Sequence, residues 1–172
     1  MKNLFSIAIF VQLLLLVACK KTDQALLTQM NDTVAEMQTQ TEQFDMNTQG
    51  ILSFATLVDT APEGLKSDTL SGYAALQAKV TSVKIKQQGT VSEFKEILAE
   101  LQKSAEAYAA GKITTDEARS QQETLGGKLT AIKELLAHVS KINDEAQTEY
   151  GKMMAEYRSK TEQNNENTAL SR

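Results

Sequence analysis

The sequence predicts an all-α protein, an elongated antiparallel three-helix bundle or coiled coil. After Thr22, apolar side chains recur at alternating steps of three and four residues, which is the spacing of one face of a helix. The chain of 172 residues holds one Pro and no Trp, and long helices exclude Pro from their interiors. The turns that separate the helices are predicted near Pro62 and Gly111. The connections are therefore short, and short connections make neighbouring helices antiparallel.

The first helix is predicted over residues 22–59. Its apolar stripe forms a heptad seam, and the positions between are mostly Gln, Thr, Glu, Asp and Asn, as a solvated face requires. The seam consists of Leu27, Met30, Val34, Met37, Thr41, Phe44, Thr48, Ile51, Ala55 and Val58. Pro62 and Gly64 follow, and they indicate a loop, because Pro lacks a backbone donor and Gly permits a turn.

The second helix is predicted over residues 66–110. Its seam consists of Tyr73, Leu76, Val80, Val83, Gln87, Val91, Phe94, Leu98, Leu101, Ala105 and Tyr108. Two steps of four meet at Gln87 and Val91, which is a stutter that locally unwinds a coiled coil. Gly89 lies inside this stutter. In the alternative, Gly89 ends one helix and Thr90 begins another, and the protein then has four helices.

The third helix is predicted over residues 115–158, after a turn at 111–114. Thr114 and Glu117 have the spacing of a capping box at the start of a helix. The seam consists of Ala118, Gln122, Leu125, Leu129, Ile132, Leu136, Val139, Asn143, Ala146, Tyr150, Met153 and Tyr157. Leu135 and Ile142 are expected to widen this stripe. The polar residues 159–172 have no seam and are predicted to form a disordered tail.

Two features of these seams need a physical reason. Gly126 and Gly127 interrupt the third helix, and each costs about 1 kcal/mol against Ala, so we expect close helix approach or a flexible point there. Polar residues also lie on the seams, where they specify register and partner number at a cost in stability. These are Thr41, Thr48, Gln87, Gln122 and Asn143. Self-association or the binding of a protein partner through a seam is therefore expected.

The N-terminus has the organisation of an export signal. A basic start with Lys2 precedes an apolar run over 4–18. As a helix this run would reach about 22 Å, which is short of the ~30 Å hydrocarbon core of a bilayer. That length is typical of a signal peptide rather than of a membrane span. Residues 1–18 are therefore predicted to be removed, which leaves 19–158 as the helical bundle.

The end of the apolar run resembles the lipobox of bacterial lipoproteins. Leu16, Val17 and Ala18 precede Cys19 in that pattern, and Cys19 is the sole cysteine of the chain. The resemblance implies that the Cys19 thiol receives a diacylglyceryl group and that signal peptidase II cuts before it. In the lipoproteins that this pattern resembles, those retained in the inner membrane of some bacteria carry Asp directly after the cysteine. This chain has Lys20 at that position. The resemblance thus implies the outer membrane, facing the periplasm, with display on the cell surface as the alternative.

Few residue patterns indicate catalytic or binding chemistry. The net charge of −4 argues against nucleic-acid binding, which requires clustered Lys and Arg. His138 lies four residues after Glu134, but a metal site needs three or four ligands and no other His exists. The acidic ridge on the second helix lacks the Glu-x-x-His motif of di-iron bundles. This ridge consists of Glu93, Glu96 and Glu100. We expect no catalytic residue, metal, cofactor or small-molecule substrate.

These observations predict a membrane-anchored lipoprotein of the cell envelope. Its helical part is expected to be a non-enzymatic structural or interaction rod, with the membrane as its partner through the lipid on Cys19. The alternative is a periplasmic or surface binding module, either a chaperone-like clamp or an adaptor for a partner protein. A large exposed apolar groove would favour the binding module, whereas filled seams would favour the rod.

Overall fold

The computed structural model describes residues 22–68 and 72–170, with side chains up to residue 166. All regular structure in these residues is helical, which confirms the predicted all-α class. Three long helices and one short helix follow each other along the chain. They are α1 (Gln24–Asp59), α2 (Glu63–Ser67), α3 (Tyr73–Ala109) and α4 (Thr115–Leu170).

Helix α1 begins where a side chain caps its first turn. The Asp23 carboxylate accepts hydrogen bonds from the backbone N–H groups of Ala25 and Leu26, at 3.0 and 3.2 Å. These N–H groups lack a partner within the helix, so the carboxylate supplies one. The helix ends at Asp59, as predicted, three residues before the only Pro of the chain.

The segment after Pro62 differs from the prediction of one helix from residue 66. The chain forms the short α2 instead, with Leu65 buried, and α3 begins only at Tyr73. Gly72 separates them because its φ of +74° lies in the left-handed region, which a helix cannot include. Gly64, predicted to permit a turn, lies within α2, and a Cβ on it would stand 2.7 Å from the Tyr157 hydroxyl.

Helix α3 runs without a break through Gly89. The alternative of two helices that meet at Gly89 is therefore wrong. The helix has apolar contacts on both sides of the stutter, since Val83, Val91 and Phe94 are all buried. Burial of such side chains contributes about 1.5–3 kcal/mol each, which exceeds the cost of about 1 kcal/mol for one helical Gly.

The turn between α3 and α4 satisfies both helix ends. Gly111, with φ +67°, donates its backbone N–H to the carbonyl of Tyr108, and Lys112 donates to that of Ala107. This pair of bonds is the Schellman arrangement at a helix C-terminus. At the start of α4, the Glu117 N–H donates to Thr114 Oγ1, and the Thr114 N–H donates to the Glu117 carboxylate. The predicted capping box is confirmed.

Helix α4 continues past its predicted end at residue 158 and reaches Leu170. Residues 159–170, predicted to form a disordered tail, continue α4 in this structure. The side chains of residues 158–166 are all exposed, so this part of the helix lacks the packing that the seam supplies earlier. Its Arg, Lys, Glu and Gln side chains lose little rotamer freedom in a helix, and Lys160 forms an ion pair with Asp68 at 3.7 Å.

The described helices contribute to two compact units. The first unit combines the described part of Met1–Gln38 with Ile97–Lys128. Its core consists of Leu26, Met30, Ala105, Tyr108 and Ala118, with Leu27 and Ile113 packed against it. Helices α3 and α4 are antiparallel here, because Tyr108 contacts Thr115 while Ser104, one turn earlier, contacts Gln121.

The second unit combines Thr39–Glu96 with the described part of Leu129–Arg172. Helices α1 and α3 are antiparallel in it, since Phe44 packs edge-to-face on Phe94 while the later residue Val58 accepts a hydrogen bond from Tyr73. Its larger core cluster consists of Phe54, Ala55, Val58, Ala61, Leu65, Tyr73, Leu76, Val80, Ala146 and Tyr150. A smaller cluster consists of Ile51, Val83 and Val139, with Ile142 against it.

The predicted seams account for most of this packing. Every seam residue of the three long helices is buried or half-buried. Ile142 widens the third seam as expected, but Leu135 does not, because 42% of its surface is exposed. The close approach expected at Gly126 and Gly127 is also wrong. Apart from the neighbouring residues and the adjacent backbone of α4 itself, no described atom lies within 4 Å of a Cβ placed on either.

Two polar seam residues of the second unit differ in how they are satisfied. Gln87 is buried and donates from Nε2 to Thr48 Oγ1 at 3.2 Å. Asn143 is also buried, but its Oδ1 has no hydrogen-bond partner in the part of the chain that the structure describes. A buried acceptor without a donor costs about 1–3 kcal/mol. Polarity at Asn143 therefore costs more stability than polarity at Gln87.

We expect Asn143→Leu to raise the free energy of unfolding by about 1–3 kcal/mol, because it removes an unsatisfied buried oxygen. Urea denaturation followed by circular dichroism measures this change. The matched control is Gln87→Leu, which should gain less, since it also removes the bond to Thr48. An Asn143→Leu variant that is less stable than the parent would contradict this account of the seam.

Candidate functional site

The predicted anchor lies outside the described residues. This holds for Cys19, for the recognition residues Leu16, Val17 and Ala18, and for the signal peptide over 1–18. The structure does describe where the chain after the anchor first packs. That place is Asp23, four residues beyond Cys19 in the sequence.

Asp23 belongs to a polar group of side chains that we call the Tyr108 cluster: Asp23, Tyr108, Thr115 and Arg119. The Asp23 backbone N–H donates to the Tyr108 hydroxyl at 2.6 Å. The same hydroxyl lies 3.0 Å from Thr115 Oγ1, within hydrogen-bond distance. One buried side chain thus joins the residue before α1, the last turn of α3 and the first residue of α4.

The ion pairs of the Tyr108 cluster are weaker. Arg119 lies 4.0 Å from the Asp23 carboxylate and 3.9 Å from that of Asp116, and half of its side chain is exposed. Exposed pairs of this kind contribute about 0–1 kcal/mol. The position of Asp23 therefore depends mainly on the hydrogen bond to Tyr108 and on the packing of Leu26 and Met30 behind it.

A second tyrosine acts at the other end of α1, inside the second unit. Tyr73 is buried and donates its hydroxyl proton to the carbonyl of Val58, in the last turn of α1. Burial raises the pKa of Tyr73 above 10.0, so the phenol stays neutral and keeps its donor. Gln77 donates to Asp59 next to it, at 3.1 Å. This arrangement caps a helix and offers no reactive group to solvent.

The residues considered for metal binding lie on solvated faces. His138 and Glu134 are both exposed on α4. The three glutamates of the acidic ridge, Glu93, Glu96 and Glu100, are also exposed. Within the described ranges, no group of three or more His, Cys, Asp or Glu side chains is placed to hold a metal ion.

Each unit carries an open groove on its surface. In the first unit, a groove of about 520 Å³ runs between α3 and α4, with Lys103, Gln121, Leu125 and Lys128 among its lining residues. In the second unit, a shallow groove follows one face of α3. It is lined by Ala74, Gln77, Ala78, Thr81, Ser82, Ile85 and Lys86. Ile85 is the large apolar side chain there, and 64% of its surface is exposed.

The sequence predicts that Tyr108 and Tyr73 lie on a seam, but it does not predict the hydrogen bonds that their hydroxyls make to the backbone. The seam position predicts only that the ring is buried. A tyrosine in the first or last turn of a helix is the signal that was available, because a buried ring there brings its hydroxyl to the unpaired backbone groups of neighbouring helix ends. Asp23 also carried a signal, since Asp is a favoured N-cap.

Within the part of the chain that the structure describes, none of the helices combines the length and the apolar character that a membrane span requires. No family model matches the sequence, and neither the curated proteins nor the solved structures include a significant match to it.

We expect Tyr108→Phe to lower the free energy of unfolding by about 1–3 kcal/mol, because the partly buried N–H of Asp23 loses its acceptor. Amide hydrogen exchange should be faster at Asp23, and chemical denaturation should show the loss of stability. Tyr150→Phe is the matched control, since the Tyr150 hydroxyl makes a longer bond, 3.4 Å, to Leu57. Equal losses in the two variants would argue against a special role for the Tyr108 cluster.

Proposed function

We propose that this chain is a bacterial lipoprotein of the cell envelope. Acyl groups on Cys19 attach it to the membrane, and its helices form a non-enzymatic structural or interaction element. The observation that carries the proposal is the lipobox, in which Leu16, Val17 and Ala18 precede the sole cysteine. Each buried methylene of an acyl chain contributes about 0.8 kcal/mol. Two or more long chains would therefore make the attachment effectively permanent.

The start of the folded part supports an anchor at this position. Helix α1 begins at Gln24 and its cap is Asp23, so only residues 20–22 separate Cys19 from packed structure. A fully extended chain reaches about 3.5 Å per residue. The path from Cys19 to Asp23 is thus at most about 14 Å, and the anchor is short compared with the helices.

A structural role is also supported by how the helices use their apolar side chains. The seams are filled, as the burial of Phe94, Leu101 and Leu129 illustrates. The two grooves on α3 and α4 are open to solvent and bring no His or Cys together. We propose a location at the outer membrane, facing the periplasm, because Lys20 stands where Asp marks inner-membrane retention in lipoproteins that this sequence resembles.

Replacing the proposed acylated residue tests the anchor. We expect Cys19→Ser to abolish labelling by a radioactive or clickable fatty acid and to release the protein from the membrane fraction. Lys21→Ser is the matched control, since it lies beyond the lipobox and should retain both properties. Membrane attachment and acyl labelling that persist in Cys19→Ser would refute the proposal.

One feature favours partner binding as a second candidate function. The groove on α3 places Ala74, Ala78 and the exposed Ile85 on one face of the second unit. Exposed apolar side chains mark binding surfaces when they form a contiguous patch. In this candidate function, α3 presents the groove to another envelope protein while the lipid holds the chain at the membrane.

Photo-crosslinking in cells tests this second function. A photoreactive amino acid in place of Ile85 should give one discrete adduct above the mass of the protein. The same amino acid in place of Glu93, which is exposed on α3 outside the groove, should give none. The same adduct from both positions, or none from Ile85, would contradict a specific binding face.

A further inference from the structure

We propose that the turn between α3 and α4, residues 110–114, faces the lipid surface to which Cys19 is attached. The partner of this end of the first unit is then the headgroup layer of a bilayer. This inference rests on the acylation of Cys19 proposed above, and it adds which end of the first unit meets the membrane and which residues meet it.

The connection between Cys19 and the folded residues is short. Asp23 is held by the Tyr108 hydroxyl and by the packing of Leu26. Since Cys19 is four residues away, the acylated cysteine can lie no further than about 14 Å from Asp23. The bilayer surface is therefore within that distance of the start of α1.

The turn is held next to Asp23 by Tyr108. The Tyr108 hydroxyl accepts a hydrogen bond from the Asp23 N–H, and the Tyr108 backbone carbonyl accepts one from the Gly111 N–H at 3.0 Å. Lys112 is bound to the carbonyl of Ala107 at 2.8 Å. The turn is thus fixed to the residue that holds the start of α1, so both lie at the same end of the first unit.

The opposite end of α1 within this unit provides a contrast. Gln38 is the last residue that α1 contributes to the first unit, and it is exposed. At 1.5 Å per residue it lies about 22 Å along the helix axis from Asp23. That distance exceeds the reach of the connection, so a bilayer at the Asp23 end is closer to Lys112 than to Gln38.

The charges at this end indicate what holds the turn at the surface. Lys112 and Arg119 are outnumbered by Asp23, Asp116 and Glu117, and Arg119 faces both aspartates. Attraction to anionic lipids is therefore weak, and the short covalent connection positions the turn. Gly111 and Lys112 are exposed, while the neighbouring Ile113 packs against the core of the unit. A small residue and a cation are thus the groups presented to the headgroups.

Fluorescence quenching tests this orientation with the full-length acylated protein. Acylation blocks Cys19, the sole native cysteine, so Lys112→Cys and Gln38→Cys each provide one thiol for a fluorophore. The vesicles contain phosphatidylethanolamine, phosphatidylglycerol and a lipid with a nitroxide on its headgroup. Quenching at position 112 should be at least about twofold stronger than at position 38, because Gln38 lies about 22 Å along α1 from Asp23, whereas the turn is fixed next to Asp23 by Tyr108.

The outcomes separate this inference from the proposed function. Mass spectrometry of each preparation shows whether Cys19 carries acyl groups, and their absence would refute both proposals. Acylated protein with equal quenching at the two positions, or with stronger quenching at 38, would overturn the orientation and leave the anchor standing. Helix content by circular dichroism confirms that both labelled variants are folded.

A variant with a longer connection tests the physical reason. Twenty Gly and Ser residues inserted between Lys21 and Thr22 add a flexible segment with a mean span of about 25 Å. Acylation should persist, and quenching at position 112 should fall toward the value at position 38. Quenching at 112 that stays at its original level would show that the short connection does not position the turn, and would overturn the proposal.

Discussion

The constraint on which the structure depends is that each long helix has only one narrow apolar face. The chain is polar on average, with a mean hydropathy of −0.32, and after Thr22 most of its large apolar side chains lie on three seams. Most of the stability of a helix in a protein comes from packing of such a face rather than from helix propensity. Side chains such as Phe94, Leu101 and Leu129 are almost fully buried, and each needs a neighbouring helix to shield it from water.

The same constraint explains why the helix ends carry specific polar contacts. A seam buries side chains but leaves the first N–H groups and the last carbonyls of each helix without partners. Tyr108 serves the N–H of Asp23, and Tyr73 serves the carbonyl of Val58. A tyrosine suits this role because its ring belongs to the core while its hydroxyl reaches the backbone at the edge. These contacts select which helix ends lie together within each unit.

Polar side chains on the seams act in a different way. Gln87 donates a hydrogen bond to Thr48, so this pair helps to specify the alignment of α1 and α3 in the second unit. The Oδ1 of Asn143 has no such partner among the described residues, and its cost in stability is larger.

In the proposed lipoprotein, the lipid supplies attachment to the membrane. The helices then need to contribute only rigidity and surfaces such as the exposed face of α3.

The sequence by itself determined the all-α class, the three seams, the capping box at Thr114 and the end of α1 near Asp59. These features are local: a period of 3.5, a cap and a Pro act over a few residues. The start of α3 at Tyr73, the exposure of Leu135 and the open space around Gly126 were decided by the tertiary structure. The reason is that the same period is compatible with several helix neighbours, and only packing selects among them. The Tyr108 cluster was also decided by the tertiary structure, since Asp23 and Tyr108 are far apart in sequence. Only the packing of α1 against α3 brings the Asp23 nitrogen within 2.6 Å of the Tyr108 hydroxyl oxygen.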